Sequence, residues 1–127
     1  MTYVVDCSAV VEYLYSDLGA KVAERIHEHT LIAPQLLIPE VISTVRGLTL
    51  GRHIEADYAE SMLADFSLMP IHLHSMESLV QPIWELRHNV SSYDAAYIAL
   101  GRATSTPVLT CAGRLHRAMP QDTVLIE

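Results

Sequence analysis

The chain has 127 residues, half of them hydrophobic but only 6% aromatic, and a formal net charge of −7 at pH 7. That length suits one domain with one core, and a core built from Leu, Val, Ile and Ala favours an α/β or all-α protein over a β-sandwich. The acid excess excludes the overall basic surface that usually marks a nucleic-acid binder, yet an acidic site filled by divalent cations reverses its own local charge. Two cysteines, Cys7 and Cys111, are too few for a disulfide scaffold. No apolar run is long enough to cross a bilayer, and Asp6 interrupts the apolar start before it can read as a signal peptide. The expectation is a cytoplasmic protein with reduced thiols and no membrane association.

Tyr3 to Asp6 reads as a buried strand closed abruptly by an acid, followed by a helix to about Tyr15 that Ser8 can cap. Asp17-Leu18-Gly19 breaks it. An amphipathic helix over Ala20–His29 turns Val22, Ala23 and Ile26 inward, and Leu31-Ile32-Ala33 is a second strand, closed by Pro34. Leu36 to about Leu50 is helical, with Leu37, Val41, Thr44, Val45 and Leu48 near one face. Pro39 belongs in its first turn, so Glu40 sits near its N-terminus. After Gly51-Arg52-His53 come a helix over Glu55–Phe66, a strand over Met69–Leu73 and a helix from Ser75 to about His88. Asn89-Val90 is a turn. Ser91-x-x-Asp94 opens the next helix, which runs through Leu100. Val108–Thr110 is a fourth strand, Leu115–Ala118 a short helix and Val124–Ile126 a last strand. Strands alternating with helices imply a parallel sheet covered on both faces. There is no linker or internal repeat, so one compact domain is expected to fill residues 1–127.

Ligands of such sheets bind beyond the carboxyl ends of the strands. Asp6 stands there, and a carboxylate closing an apolar strand is costly unless it meets water, a donor or a metal. Asp6, Glu40 and Asp94 each have a structural explanation as well, as a cap or as a complement to a helix dipole. Together they mean more. Three carboxylates in one place repel and persist when a hard cation compensates them, and oxygen ligands favour magnesium or manganese over zinc.

VVDCSA at 4–9, PEVISTVR at 39–46 and SSYDAAYIALG at 91–101 resemble the PIN-domain ribonucleases, and within them the VapC-type toxins of toxin–antitoxin pairs. WELRHNVSSYDAAYIAL at 84–100 is similar to actinobacterial members. The resemblance runs over nearly the whole chain in the right order. It implies an α/β/α sandwich around a central parallel sheet of about four to five strands. It further implies a magnesium- or manganese-dependent endoribonuclease with Asp6, Glu40 and Asp94 as the metal-binding and catalytic acids, Glu40 also serving partly as a base or supporting group. Ser8 matches a small hydroxyl residue that orients a ligand or water, and Asn89 a polar position before the third acid. The implied partners are a VapB-like antitoxin, which carries any DNA contacts of a higher assembly, and an RNA substrate (tRNA, rRNA or mRNA). A homodimer is implied as well.

A fourth acid is expected in a pattern like L-x-T-x-D-x-R-L. Here it reads Leu109-Thr110-Cys111-Ala112-Gly113-Arg114-Leu115. Thr110 and Arg114 keep their places as supporting residues, and Ala112 takes the place of the acid. Asp122 is too far along to replace it. Either the alanine is natural, leaving a three-acid site with weakened metal binding, or it is an introduced change that disarms a nuclease. Both predict an impaired enzyme.

Seven histidines do not make a zinc site by spacing. Of the arginines, Arg87 and Arg114 lie beside the motifs and are the better candidates for RNA contact. Two other functions compete: a catalytically inactive PIN-fold module that binds antitoxin or RNA, and a small doubly wound signalling or nucleotide-binding protein. The second lacks a phosphate-binding glycine loop.

Overall fold

The computed structural model describes residues 1–15 and 18–127. Of the expected break at 17–19, Asp17 lies outside them. Among the described residues, β1 (Thr2–Val5), β2 (Thr30–Pro34), β3 (Ile71–His74), β4 (Val108–Thr110) and β5 (Thr123–Leu125) form one sheet in the order β3-β2-β1-β4-β5, every neighbouring pair parallel. The central strands are continuous apolar runs because both their faces are covered: Val4, Val5, Ala33, Val108 and Leu109 are essentially inaccessible.

Helices α1 (Cys7–Tyr15), α2 (Gly19–Ile26), α3 (Leu37–Leu50) and α4 (Ala56–Leu68) form the crossovers on the β1-β2-β3 side. A 3-10 turn at Glu77–Leu79, α5 (Val80–Glu85) and α6 (Ser92–Thr104) carry the chain from β3 back to β4. Helix α7 (Gly113–Ala118) leads to β5. Right-handed crossovers in both directions put α1–α4 and α5–α7 on opposite faces. The direction of winding reverses between β1 and β4, and ligands of open parallel sheets bind beyond such a reversal. Val5 pairs with Leu109, so Asp6 and Thr110 emerge side by side at that point.

Element boundaries differ from expectation in a few places, each for a local reason. Helix α2 stops at Ile26 rather than running to His29, because Glu28 adopts a left-handed φ of 62°. The segment after Ser75 is not one helix to His88: α5 spans six residues and ends at Glu85, in turns closed on Ile83, Trp84 and Leu86. Of the two caps the sequence offers for α1, Asp6 and Ser8, the structure uses Asp6, whose Oδ1 accepts the backbone N–H of Ala9.

Gly101 sets the return of α6 onto β4. A Cβ there would sit 2.7 Å from the Thr106 carbonyl oxygen, backbone that cannot step aside. Gly101→Ala gains roughly 1 kcal/mol of helix propensity but carries an overpacking cost of roughly 1–3 kcal/mol. We expect the urea midpoint to fall, by an amount equivalent to about 1 kcal/mol. An unchanged or higher midpoint would show that the α6–β4 connection yields.

Candidate active site

Asp6 is only 5% exposed. Its Oδ1 accepts from the Ser8 hydroxyl at 2.7 Å and from the Ala9 N–H at 2.9 Å. Burial pushes its carboxyl above the ordinary 3.8; donors from Thr110, Ser8 and Ala9 oppose this, and the Asp94 carboxylate adds to it. Ser8 does further work. Its Oγ pairs with Thr110 Oγ1 at 3.1 Å and accepts the N–H of Cys111 at 2.9 Å, while Thr110 Oγ1 accepts the N–H of Ala112 at 3.0 Å. The ends of β1 and β4 are thus tied through two hydroxyls, with Thr110 fully buried between them.

Glu40 lies in the first turn of α3, where Pro39 fits because it has no N–H to leave unpaired. The Tyr97 hydroxyl donates to its Oε1 at 2.6 Å. Partial burial raises the Glu40 carboxyl, the tyrosine lowers it, and Asp94 and Asp6 raise it again. Burial and the carboxylate together drive the Tyr97 hydroxyl far above its usual range, so it remains a donor. Tyr97 went unrecognised as a site residue from sequence. The available signal was its position three residues after Asp94, on the same face of one helix. Asp94 opens α6, its backbone N–H capped by the Ser91 hydroxyl at 3.1 Å.

The three acids are therefore within electrostatic reach of one another, and among the described residues none of them has a cationic partner within salt-bridge distance. They do not form a closed cage: among the described residues no three His, Cys, Asp or Glu side chains group closely enough to hold one ion. The donor chemistry still fits magnesium, which keeps several waters and is commonly held by one or two carboxylates. Asp6 and Asp94 are the residues that would hold it, with Glu40 alongside. Cys7 and Cys111 flank the acids as free, half-buried thiols. Burial raises both to about 11, so they are protonated, and soft sulfur suits such an ion poorly.

Ala112 is the N-cap residue of α7, extended at φ −88° and ψ 103°, and supplies no side-chain cap. Asp122 is no substitute, because both its oxygens are taken by Arg102 at 2.9 and 3.0 Å. Asn89 and Arg114 line an open cleft with Asp94 and Arg87. Arg114 has no ion pair among the described residues.

With that geometry established, the PIN domain family profile matches residues 3–119. Ribonuclease VapC12 of Mycobacterium tuberculosis is 32% identical over 116 residues, covering 91% of this chain and 90% of its own. Ribonuclease VapC1 of the same organism is 35% identical over 119 residues, covering 91% and 89%. Among solved structures, VapBC2 from Rickettsia felis, bound to a DNA fragment from its promoter, superposes with a TM-score of 0.69 at 15% identity over 98% of this chain and 97% of that one. Mycobacterium tuberculosis VapC20, described as a sarcin-ricin loop cleaving toxin, gives 0.62 at 18% identity over 94% and 95%. At such identities these structures speak for the fold alone.

The buried acid has a consequence for stability. A folded-state value above 3.8 means that the folded chain holds this proton more tightly than the unfolded chain. Its stabilising contribution is full below that pH and is lost as pH rises through the folded value. Asp6→Asn keeps an oxygen for Ala9 and Ser8 and removes the charge. In EDTA, thermal melts should place Asp6→Asn above the parent chain near neutral pH, with the gap closing as pH falls below the ordinary carboxylate value. A variant that melts lower at neutral pH would show that the ionised carboxylate is not a liability.

Proposed function

This chain belongs to the PIN-domain family, and we propose that it is a VapC-type toxin: a metal-dependent endoribonuclease impaired by Ala112. The observation that carries the proposal is the uncompensated acid set of Asp6, Glu40 and Asp94 at the carboxyl edge of the sheet. The named ribonucleases to which the chain is similar over nine-tenths of its length add to it. Asp6, fixed by Ser8 and Ala9, and Asp94, fixed at the start of α6, would hold the divalent ion. When bound, magnesium or manganese activates water and stabilises the leaving oxygen of a phosphodiester. Glu40 has one oxygen engaged by Tyr97 and the other free to take a proton from the attacking water. Burial raises its carboxyl above the ordinary carboxylate value, which strengthens it as a proton acceptor. The water adds to phosphorus as the P–O bond opposite breaks.

A VapB-like antitoxin is the proposed partner, with a basic side chain entering the acid site and neutralising it in place of the ion. The toxin pairs as a homodimer in the cytoplasm. Toxin–antitoxin pairs meet DNA through the antitoxin, in keeping with the acidity of this chain. The substrate is RNA.

Ala112 favours one second reading, an inactive PIN-fold module that binds antitoxin or RNA without cutting. Ala112→Asp separates the two. With manganese present, the parent chain should cleave RNA slowly, Ala112→Asp should gain at least about tenfold, equivalent to ~1.4 kcal/mol of barrier, and Asp94→Asn should lose cleavage. Because Asp at this N-cap would also stabilise α7 by about 1 kcal/mol, rates are compared where both proteins are fully folded. Parental cleavage equal to that of Ala112→Asp would overturn the impairment. No cleavage by either protein would favour the binding module.

A further inference from the structure

We infer that the cleft beside Asp94 is a phosphate-binding subsite, built to grip the RNA backbone next to the bond being cut, with Arg87 and Arg114 as its two anion-binding residues. The inference rests on the ribonuclease reading and says where this acidic protein holds a polyanion. The chain has only eight lysines and arginines, and two are engaged elsewhere: Lys21 donates to the Glu127 carbonyl and Arg102 is bound to Asp122. Two of the eight line one open cleft of about 480 Å³ together with Asn89, Ser91 and Asp94. That is a nucleotide-sized space.

The arginines come from different elements. Arg114 projects from α7 and Arg87 from the turn after α5. Among the described residues neither guanidinium is ion-paired, so their charge is available. Arg87 is pre-set. Its guanidinium carbon lies 4.5 Å from the centre of the Trp84 ring, and its Nη1 donates to the Trp84 carbonyl at 3.0 Å. One donor and one face are thereby fixed, and the remaining N–H groups stay free. A forked donor held this way suits a phosphate better than a flexible ammonium would. Asn89 adds an amide to the rim. The only carboxylate lining the cleft is Asp94, so a phosphodiester gripped by the arginines lies next to a proposed metal-binding acid. The juxtaposition separates two tasks: the acids take the cation, and the arginines take the anion.

The test is equilibrium binding of a labelled single-stranded RNA, followed by anisotropy across a salt series. A Glu40→Gln background keeps the RNA intact and removes one repelling charge. Arg114→Ala, and Arg87→Ala with it, should each weaken binding roughly tenfold, the scale of one charged hydrogen bond. Each should lower the slope of log affinity against log salt by about 0.7. Arg114→Lys should keep the slope and lose part of the affinity. Arg25→Ala, at an exposed position of α2, should change neither. Trp84 is the single tryptophan and is 57% exposed, so RNA should also shift its emission, and the shift should vanish in Arg87→Ala. Arg114 makes no hydrogen bond among those described, so its removal does not threaten the fold even if Arg87→Ala does. Unchanged affinity and slope in Arg114→Ala, or an equal loss in Arg25→Ala, would overturn the subsite. If the subsite fails while Asp94→Asn still abolishes cleavage, the ribonuclease reading stands without it. If the arginine variants lose RNA while no form of the chain cuts, the subsite stands and the nuclease reading falls.

Discussion

A carboxylate held out of water at the end of an apolar strand is the constraint from which the rest of the site follows. Asp6 is there because β1 ends where the sheet changes its direction of winding, between β1 and β4. Desolvation makes its charge expensive, and the neighbouring residues limit that cost: Ser8 and the first turn of α1 donate to it, and Thr110 supports it from β4. None of these donors carries a charge. Asp94 and Glu40 add further negative charge from α6 and α3. Three acids gathered without a cationic partner are a cost to stability, which the proposed divalent ion would compensate.

The strand end at 108–115 fits this picture without its own acid. Its backbone is held by Ser8 and Thr110, which accept the amides of Cys111 and Ala112. The loop keeps its shape because hydroxyls from β4 and α1 satisfy its N–H groups; a side chain at residue 112 is not needed for that. Loss of a carboxylate at 112 would therefore touch the chemistry and leave the wall standing. Two layers also meet over the sheet edge at the Tyr97–Glu40 hydrogen bond, which fixes one oxygen of a base candidate from a helix on the opposite face.

Much of this was legible in the sequence because its signals are local. The apolar run cut by Asp6, the Ser91-x-x-Asp94 cap and the rhythm of strand and helix predicted the strands of a parallel sheet. Signals that depend on contacts between distant residues were not legible. The tie from Ser8 to the β4 loop is one of these: its hydroxyl donates to Asp6 and accepts the N–H of Cys111, 103 residues away, while Asp6 makes the α1 cap that the sequence already offered it. Residues 75–88 read as one helix with Pro82 in its first turns or at a kink, while the chain closes α5 after six residues. Tyr97 drew no role from the sequence, because its partner Glu40 lies 57 residues away. Arg87, by contrast, stood out in the sequence as a candidate for RNA contact, and the structure seats it on the ring of Trp84 in the cleft it lines.

Whether this acid set binds a divalent cation is decided by calorimetric titration with manganese. Saturable binding by the parent chain, lost in Asp94→Asn and in Asp6→Asn while both variants remain folded, is the predicted result. Absence of saturable binding, or equal binding by the two variants, would contradict it.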